Sequence, residues 1–154
     1  MGFRIAYCWC FLLLLACSKN GNNTPQPPAY IDATGIWSVQ SAIEKNNGLS
    51  SQYNSTDHPC LANNKYELKA GASGKYYFSG TDSCYLYKNG TTYVVAGVPG
   101  DEDSFTWQQM KDTVIVTYSV GKDTGIVNTA NGKSYLTFTN HYSADFQYTV
   151  ICTK

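Results

Sequence analysis

The stretches VIVTYSV at 114–120 and FQYTVIC at 146–152 decide the fold class. In the first, every second residue places Val or Tyr on one face. In the second, the same spacing places Phe, Tyr, Val and Cys on one face. A third stretch, YLTFT at 135–139, aligns Leu and Phe in the same way. Strict alternation is typical of half-buried strands, and Val, Ile, Thr, Tyr and Phe are good strand formers. These stretches therefore predict antiparallel β-structure.

The rest of the chain supports the same fold class. From Gly35 onward, no stretch longer than ten residues has apolar positions at helical spacing. Turn signals separate the alternating runs, and they predict strands near 35–43, 64–70, 75–80, 84–88, 92–98, 103–109, 112–120 and 134–152, the last divided near Asn140. The turn signals lie at 46–48, 71–74, 88–90, 99–101, 121–123 and 131–132. Short strands joined by hairpin turns predict a single up-and-down antiparallel β-barrel of about eight strands.

Composition limits the classes of function. The 154 residues include 14% charged and 14% aromatic residues, with 13 Tyr and a formal net charge of zero. A disordered chain would be charge-rich and poor in aromatic residues, and a nucleic-acid-binding protein would carry a basic face. Arg4 is the only arginine, so guanidinium clamps are absent from the predicted barrel. We therefore expect a folded domain that does not bind nucleic acid.

The amino terminus predicts export. One positive charge in residues 1–4 precedes twelve apolar residues at 5–16, too few to span a bilayer. The run ends LLAC at Cys17, which resembles the lipobox of bacterial lipoproteins. The resemblance implies a signal peptide at 1–16 and lipidation of Cys17. An ordinary signal peptide cut near Ala16, with Cys17 a spare thiol, and a buried amino-terminal helix are the alternatives.

The following segment predicts a tether. Residues 18–28, SKNGNNTPQPP, have almost nothing to bury, so residues 17–32 are interpreted as a lipidated, flexible linker before a barrel domain at 33–154. The lipoprotein resemblance implies a lipid-anchored protein of the bacterial outer membrane. Surface-export signals of Bacteroidetes are acidic after the lipidated Cys, whereas this chain has Ser18-Lys19-Asn20. A periplasm-facing location is therefore expected.

The predicted first strand carries the motif Gly35-Ile36-Trp37, which resembles the lipocalin and wider calycin signature. Together with DHPC at 57–60, NNKYEL at 63–68, the Gly turn at 71–74, Cys84 and Trp107, it resembles the lipocalin-like lipoproteins of Bacteroidetes. The resemblance implies that Trp37 plugs one end of a barrel. Two family features have no counterpart: an Arg over the signature Trp, and a helix after the last strand.

Removal of the signal leaves Cys17, Cys60, Cys84 and Cys152. A hairpin centred on 72–73 would place Cys60 within one residue of the position opposite Cys84, so we predict a Cys60–Cys84 disulfide. A Cys60–Cys152 bridge, which resembles the lipocalin bridge to the chain end, stays open. So does a chain in which all three thiols are reduced and Cys152 is a small buried hydrophobe.

Few residues offer chemistry. His58 and His141 are the two histidines, and neither belongs to a set of ligands at zinc spacing. The acidic run at 101–103 is interpreted as a solvated turn, with weak calcium binding as the alternative. No nucleophile elbow or phosphate loop occurs. We therefore expect no enzymatic activity, no metal and no cofactor.

Tyrosines are the best remaining indication of function. We expect lumen or ligand contacts from Tyr66, Phe78, Tyr85, Trp107, Tyr118, Phe138 and Tyr148. An aromatic barrel mouth would bind a small apolar or amphipathic ligand. The alternative is a barrel filled by its own side chains, with outward tyrosines that bind a protein or glycan, as an inhibitor or envelope-binding module would. The predicted partners are the membrane, through the anchor, and a small hydrophobic ligand.

Overall fold

The computed structural model describes residues 30–88, 92–141, 144 and 146–154. These residues form eleven strands and a short 3-10 helix at Pro59–Asn63. The strands are β1 (Gly35–Asn46), β2 (Leu49–Asn54), β3 (Asn64–Leu68), β4 (Ser73–Phe78), β5 (Cys84–Lys88), β6 (Thr92–Gly97), β7 (Glu102–Met110), β8 (Thr113–Thr117), β9 (Lys122–Ala130), β10 (Lys133–His141) and β11 (Phe146–Thr153). The predicted signal peptide, Cys17 and most of the predicted tether lie outside the described residues.

Eight strands close into an antiparallel barrel in the order β1, β3, β4, β7, β8, β9, β10, β11, and β11 pairs back to β1. Residues 35–38 of β1 pair with β3, whereas residues 41–46 pair with β2. β2 and β3 therefore lie end to end along one edge of β1. The predicted all-β, up-and-down barrel of about eight strands is confirmed. Closure gives every barrel strand two neighbours and leaves no long open edge.

The membership of the barrel differs from the prediction in two places. β5 and β6 form a separate two-stranded hairpin. In the ring, β4 therefore pairs directly with β7. β9, which was not predicted, occupies a place in the ring, and its first two residues, 122 and 123, were expected in a turn. β9 escaped notice because Val127 is the only large apolar residue among its inward positions Asp123, Gly125 and Val127.

Trp37 closes one end of the barrel, which we call the closed end. Its side chain is 0% exposed, and its indole Nε1 donates a hydrogen bond to the Ala33 carbonyl oxygen at 2.7 Å. Lys154 lies over the indole with Nζ 4.7 Å from the ring centroid. The same ammonium donates to the carbonyl oxygens of Asp32 and Thr34, each at 2.7 Å. A cation therefore lies over the Trp37 ring, and it is supplied by Lys154.

Cys60 and Cys84 form a disulfide with an S–S distance of 2.04 Å, and Cys152 is a buried free thiol. The predicted pairing is confirmed, but its reason was wrong. The β3–β4 ladder pairs Asn64 with Phe78, and neither half-cystine belongs to that ladder. Cys60 lies in the 3-10 helix and Cys84 begins β5, so the bond joins the helix to the separate hairpin.

Aromatic rings fill the barrel near the closed end because glycines face them. A Cβ atom on Gly125 would lie 2.7 Å from Phe138 Cδ1, and one on Gly74 would collide with the Phe105 ring. Phe138 is 1% exposed and Phe105 is 5% exposed. An eight-stranded barrel is just wide enough for its own side chains. Inward-facing glycines therefore provide the space for aromatic rings near the closed end.

Candidate functional site

The aromatic rings that fill the barrel near the closed end do not extend to its other end. Trp37, Phe105 and Val116 belong to the buried core. The next inward positions away from the closed end, two residues along the same strands, are Val39 on β1, Asp103 on β7 and Tyr118 just after β8. At this level the side chains no longer meet, and a cavity of about 170 Å³ remains.

Four tyrosines dominate the wall of this cavity, which we call the lumen cavity. Its lining residues are Val39, Leu61, Asn64, Tyr66, Tyr76, Ala96, Asp103, Tyr118, Tyr148 and Val150. The Tyr66 ring packs 5.1 Å from that of Tyr76 and 5.1 Å from that of Phe138, centroid to centroid. The cavity therefore rests on the aromatic layer below and is walled by aromatic rings.

Asn64 organises one side of the lumen cavity. It is 2% exposed, accepts a hydrogen bond from the Tyr76 hydroxyl at Oδ1, and donates from Nδ2 to the Leu61 carbonyl oxygen at 3.1 Å. The Tyr66 ring also packs against the Tyr76 ring, whose hydroxyl Asn64 holds. Since buried polar groups need partners, the hydrogen bonds of Asn64 fix the Tyr76 ring in place.

The lumen cavity adjoins a wider opening of about 540 Å³ at the barrel's other end, which we call the mouth. The mouth is lined by Asp103, Tyr118, Val120, Gly121, Lys122, Asp123, Thr124, Thr139 and Asn140. Asp103 and Tyr118 line both spaces. A ligand in the cavity would therefore place its outer part among the polar groups of the mouth.

Burial is the main cause of the raised pKa values of four side chains around the lumen cavity and the mouth. Burial raises the pKa of Asp123, and a hydrogen bond from Asn140 partly offsets that rise. Burial, followed by the negative charge of Asp123, raises the pKa of Tyr118. Burial also raises the pKa of Tyr66 and of Tyr76. All three phenols are therefore neutral near pH 7 and retain protons that they can donate.

Replacement of Asp123 by Asn is expected to stabilise the protein by about 0.5 kcal/mol near neutral pH, since it removes a partly buried charge. The pKa of Asp123 is higher in the folded than in the unfolded state. Its cost is therefore fully present above the folded pKa and disappears as pH falls below the unfolded pKa. Urea unfolding at about pH 7 and about pH 3.5 measures the difference on both sides of this range.

The control for this prediction is Asp112→Asn, since Asp112 is exposed in the β7–β8 turn at the closed end. This variant makes the same change in net charge and is expected to leave stability unchanged. If Asp123→Asn were less stable than the native chain at neutral pH, the hydrogen bond from Asn140 would outweigh the cost of burial.

The seven residues predicted to contact the lumen or a ligand fall into three groups: residues that line the lumen cavity, residues buried in the core that do not line it, and residues that lie elsewhere. Tyr66, Tyr118 and Tyr148 line the lumen cavity. Phe78 and Phe138 are buried in the core and do not line it.

Tyr85 and Trp107 correct the prediction of lumen contacts. Tyr85 is 44% exposed because its hairpin lies outside the ring of eight strands. Trp107 is half-buried beside the β3–β4 turn, where its Nε1 donates to the carbonyl oxygens of Lys69 and Ser73, both at 3.0 Å. Its ring therefore braces a turn at the closed end rather than a ligand site.

Sequence reasoning missed the polar residues of the site: Asn64, Asp103, Asp123 and Asn140. Asp103 was interpreted as part of a solvated turn. It is exposed, but it lies in β7, which begins at Glu102, and it shares a face with Phe105. Asp123 shares a face with Gly125 and Val127. The alternation of side chains along a strand could have found both carboxylates, because a residue two positions from a core residue lies on the same, inward face.

Within the described part of the chain, no group of three or more His, Cys, Asp or Glu side chains could hold a metal ion. His58 packs edge-on against Tyr53, with ring centroids 6.0 Å apart. Among the same described residues, no helix has the length and apolarity needed to cross a bilayer.

The fold and the site together define the class: a closed, eight-stranded antiparallel barrel, consistent with a lipocalin-like barrel, with a partly open lumen. Comparison of the chain with protein-family models, with curated proteins and with solved structures finds no match.

Proposed function

We propose that this protein is a lipid-anchored envelope protein that binds a small amphipathic molecule in its barrel without catalysis. The observation that carries the proposal is the tyrosine-walled lumen cavity of about 170 Å³ beside an open mouth. Cavities of about 150 Å³ accept a molecule the size of benzene. Drug-sized ligands need roughly 300 Å³ or more. The apolar part of the ligand is therefore one ring or a short branched chain.

Calorimetric titration with 2-phenylethanol tests the binding function. The chain is expressed without residues 1–16 and with Cys17→Ser, because this removes both the apolar run and the proposed lipid, and with them the need for detergent. We expect saturable binding, and about tenfold weaker binding after Ala96→Phe, which would fill the cavity that Ala96 lines.

Val95→Phe is the matched control. Val95 precedes Ala96 on β6 and is 50% exposed, so the added ring would point to solvent. Equal binding by Val95→Phe and the starting chain would support the lumen site. Equal loss of affinity in both phenylalanine variants would contradict it, and a failure of the starting chain to bind would favour a barrel that acts through its outer surface.

The proposed anchor rests on the amino-terminal sequence. Cys17 directly follows the apolar run, and the polar stretch behind it is long enough to keep the barrel off a membrane. Intact-mass measurement of the protein extracted from a bacterial envelope is expected to show cleavage before Cys17 and added acyl mass. A chain with an unmodified Cys17 thiol in the aqueous fraction would refute this part of the proposal.

A further inference from the structure

Two carboxylates occupy inward positions at the rim of the lumen cavity. Asp103 stands one inward step from Phe105 on β7, and Asp123 stands one inward step from Gly125 on β9. Both line the mouth, and Asp103 also lines the cavity. Inward carboxylates at the entrance of an aromatic cavity serve no packing purpose, and partial burial of Asp123 destabilises its charged form.

Among the residues that the structure describes, no ion pair involves Asp103 or Asp123. The ion pairs found among the described residues are Lys69–Glu67 and Lys75–Glu102. The hydrogen-bond partner of Asp123 is the neutral amide of Asn140. Lys122 also lines the mouth, but it occupies the outward, exposed position beside Asp123. Of the described residues that line the mouth, two carboxylates therefore occupy inward positions and the one ammonium an outward position, so the inward side is negative.

The cavity wall favours the same sign of ligand charge. Tyrosine rings present a negative face that attracts ammonium groups, and this attraction strengthens as water is excluded. Tyr66, Tyr76, Tyr118 and Tyr148 line the cavity. A tyrosine phenol is neutral or negative and never positive, so these side chains do not oppose a cation.

We infer that the ligand is a small organic cation, an amine whose apolar group enters the lumen cavity while its ammonium lies against Asp103 and Asp123 in the mouth. This inference rests on the proposed ligand-binding function and adds the chemical class of the ligand. An anion would meet two carboxylates at the entrance, and a neutral molecule would leave them without a group of opposite charge.

Three probes of nearly equal size test the inference: 2-phenylethylamine, 2-phenylethanol and 3-phenylpropanoate. Each is titrated calorimetrically into the Cys17→Ser chain at low and at high salt. We expect the amine to bind about tenfold more tightly than the alcohol, as charge-assisted hydrogen bonds do, and the carboxylate to bind most weakly. The preference for the amine should shrink at high salt, because the mouth is open to solvent.

Variants separate local charge from overall charge. In the double variant Asp103→Asn/Asp123→Asn, the amine and the alcohol are expected to bind with equal affinity. Asp112→Asn, at the closed end, removes one negative charge far from the mouth and is expected to keep the preference. Thermal unfolding of each variant confirms that the barrel is intact, and affinity for the alcohol provides a second check on the cavity.

Each remaining outcome contradicts a specific statement. Equal binding of all three probes would overturn the inference about charge and leave the proposed ligand-binding function standing. A preference for the amine that persists in the double variant would also overturn the inference, because another group would be responsible. Binding of none of the probes would count against both the inference and the proposed function.

Discussion

Replacing Trp37 by Ala is expected to lower the free energy of unfolding by about 4 kcal/mol, in the upper range for large-to-small core substitutions. The indole is 0% exposed and donates to the Ala33 carbonyl oxygen. The substitution removes a ring from the closed end, leaves that carbonyl without its partner, and uncovers the stem of Lys154, whose ammonium lies over the ring. Urea unfolding followed by circular dichroism measures the loss.

Two controls divide this effect into its causes. Trp37→Phe keeps most of the apolar ring but loses the donor, so a loss of about 2 kcal/mol is expected. Lys154→Met keeps the stem and loses the cation, and a cost of about 1 kcal/mol is expected from the ring contact and the two hydrogen bonds to carbonyl oxygens. A cost below about 1 kcal/mol for Trp37→Ala would show that the indole is not packed at the closed end.

The double substitution Cys60→Ala/Cys84→Ala is expected to lower the free energy of unfolding by about 3 kcal/mol. The bridge closes a loop with a sequence separation of 24 and joins the 3-10 helix to the β5–β6 hairpin. Without it, the unfolded chain gains conformational freedom. Since Leu61 and Ala96, from the two joined segments, line the lumen cavity, ligand affinity should fall as well.

Reduction provides a matched test of the disulfide. Dithiothreitol should lower the stability of the native chain to nearly that of the double variant and leave the double variant unchanged. Cys152→Ala, which removes a buried free thiol, should keep the response to reductant. Peptide mapping without reduction that found Cys60 joined to Cys152 would contradict the pairing in the structure.

The two Asn-Gly hairpin turns were predictable because each depends on two adjacent residues. Asn131 and Gly132 adopt φ values of +52° and +74°, and Asn47 and Gly48 adopt +49° and +77°. Asn-Gly pairs tolerate this left-handed region and match the twist of the strands that they join. The alternation in β8 and β11 was equally visible, because period two is a property of a single strand.

The site was predictable only in part. Tyrosines on alternating strands indicated an aromatic lumen, and Tyr66, Tyr118 and Tyr148 do line the cavity. The alternation did not show that Tyr85 belongs to a hairpin outside the ring, since a strand pattern does not name the strand's neighbour. Nor did it show that Asp103 and Asp123, from strands separated by β8, both line the mouth.

The amino-acid sequence by itself determined that this chain forms short antiparallel strands joined by tight turns, because alternation and turn dipeptides act between near neighbours in the chain. Tertiary structure decided which eight strands form the ring, because closure depends on pairing Ser38–Asn46 with Phe146–Thr153 across the whole domain. It also decided that a cavity remains above Phe105 and Phe138, since the space left inside a barrel depends on how rings from distant strands meet opposite glycines.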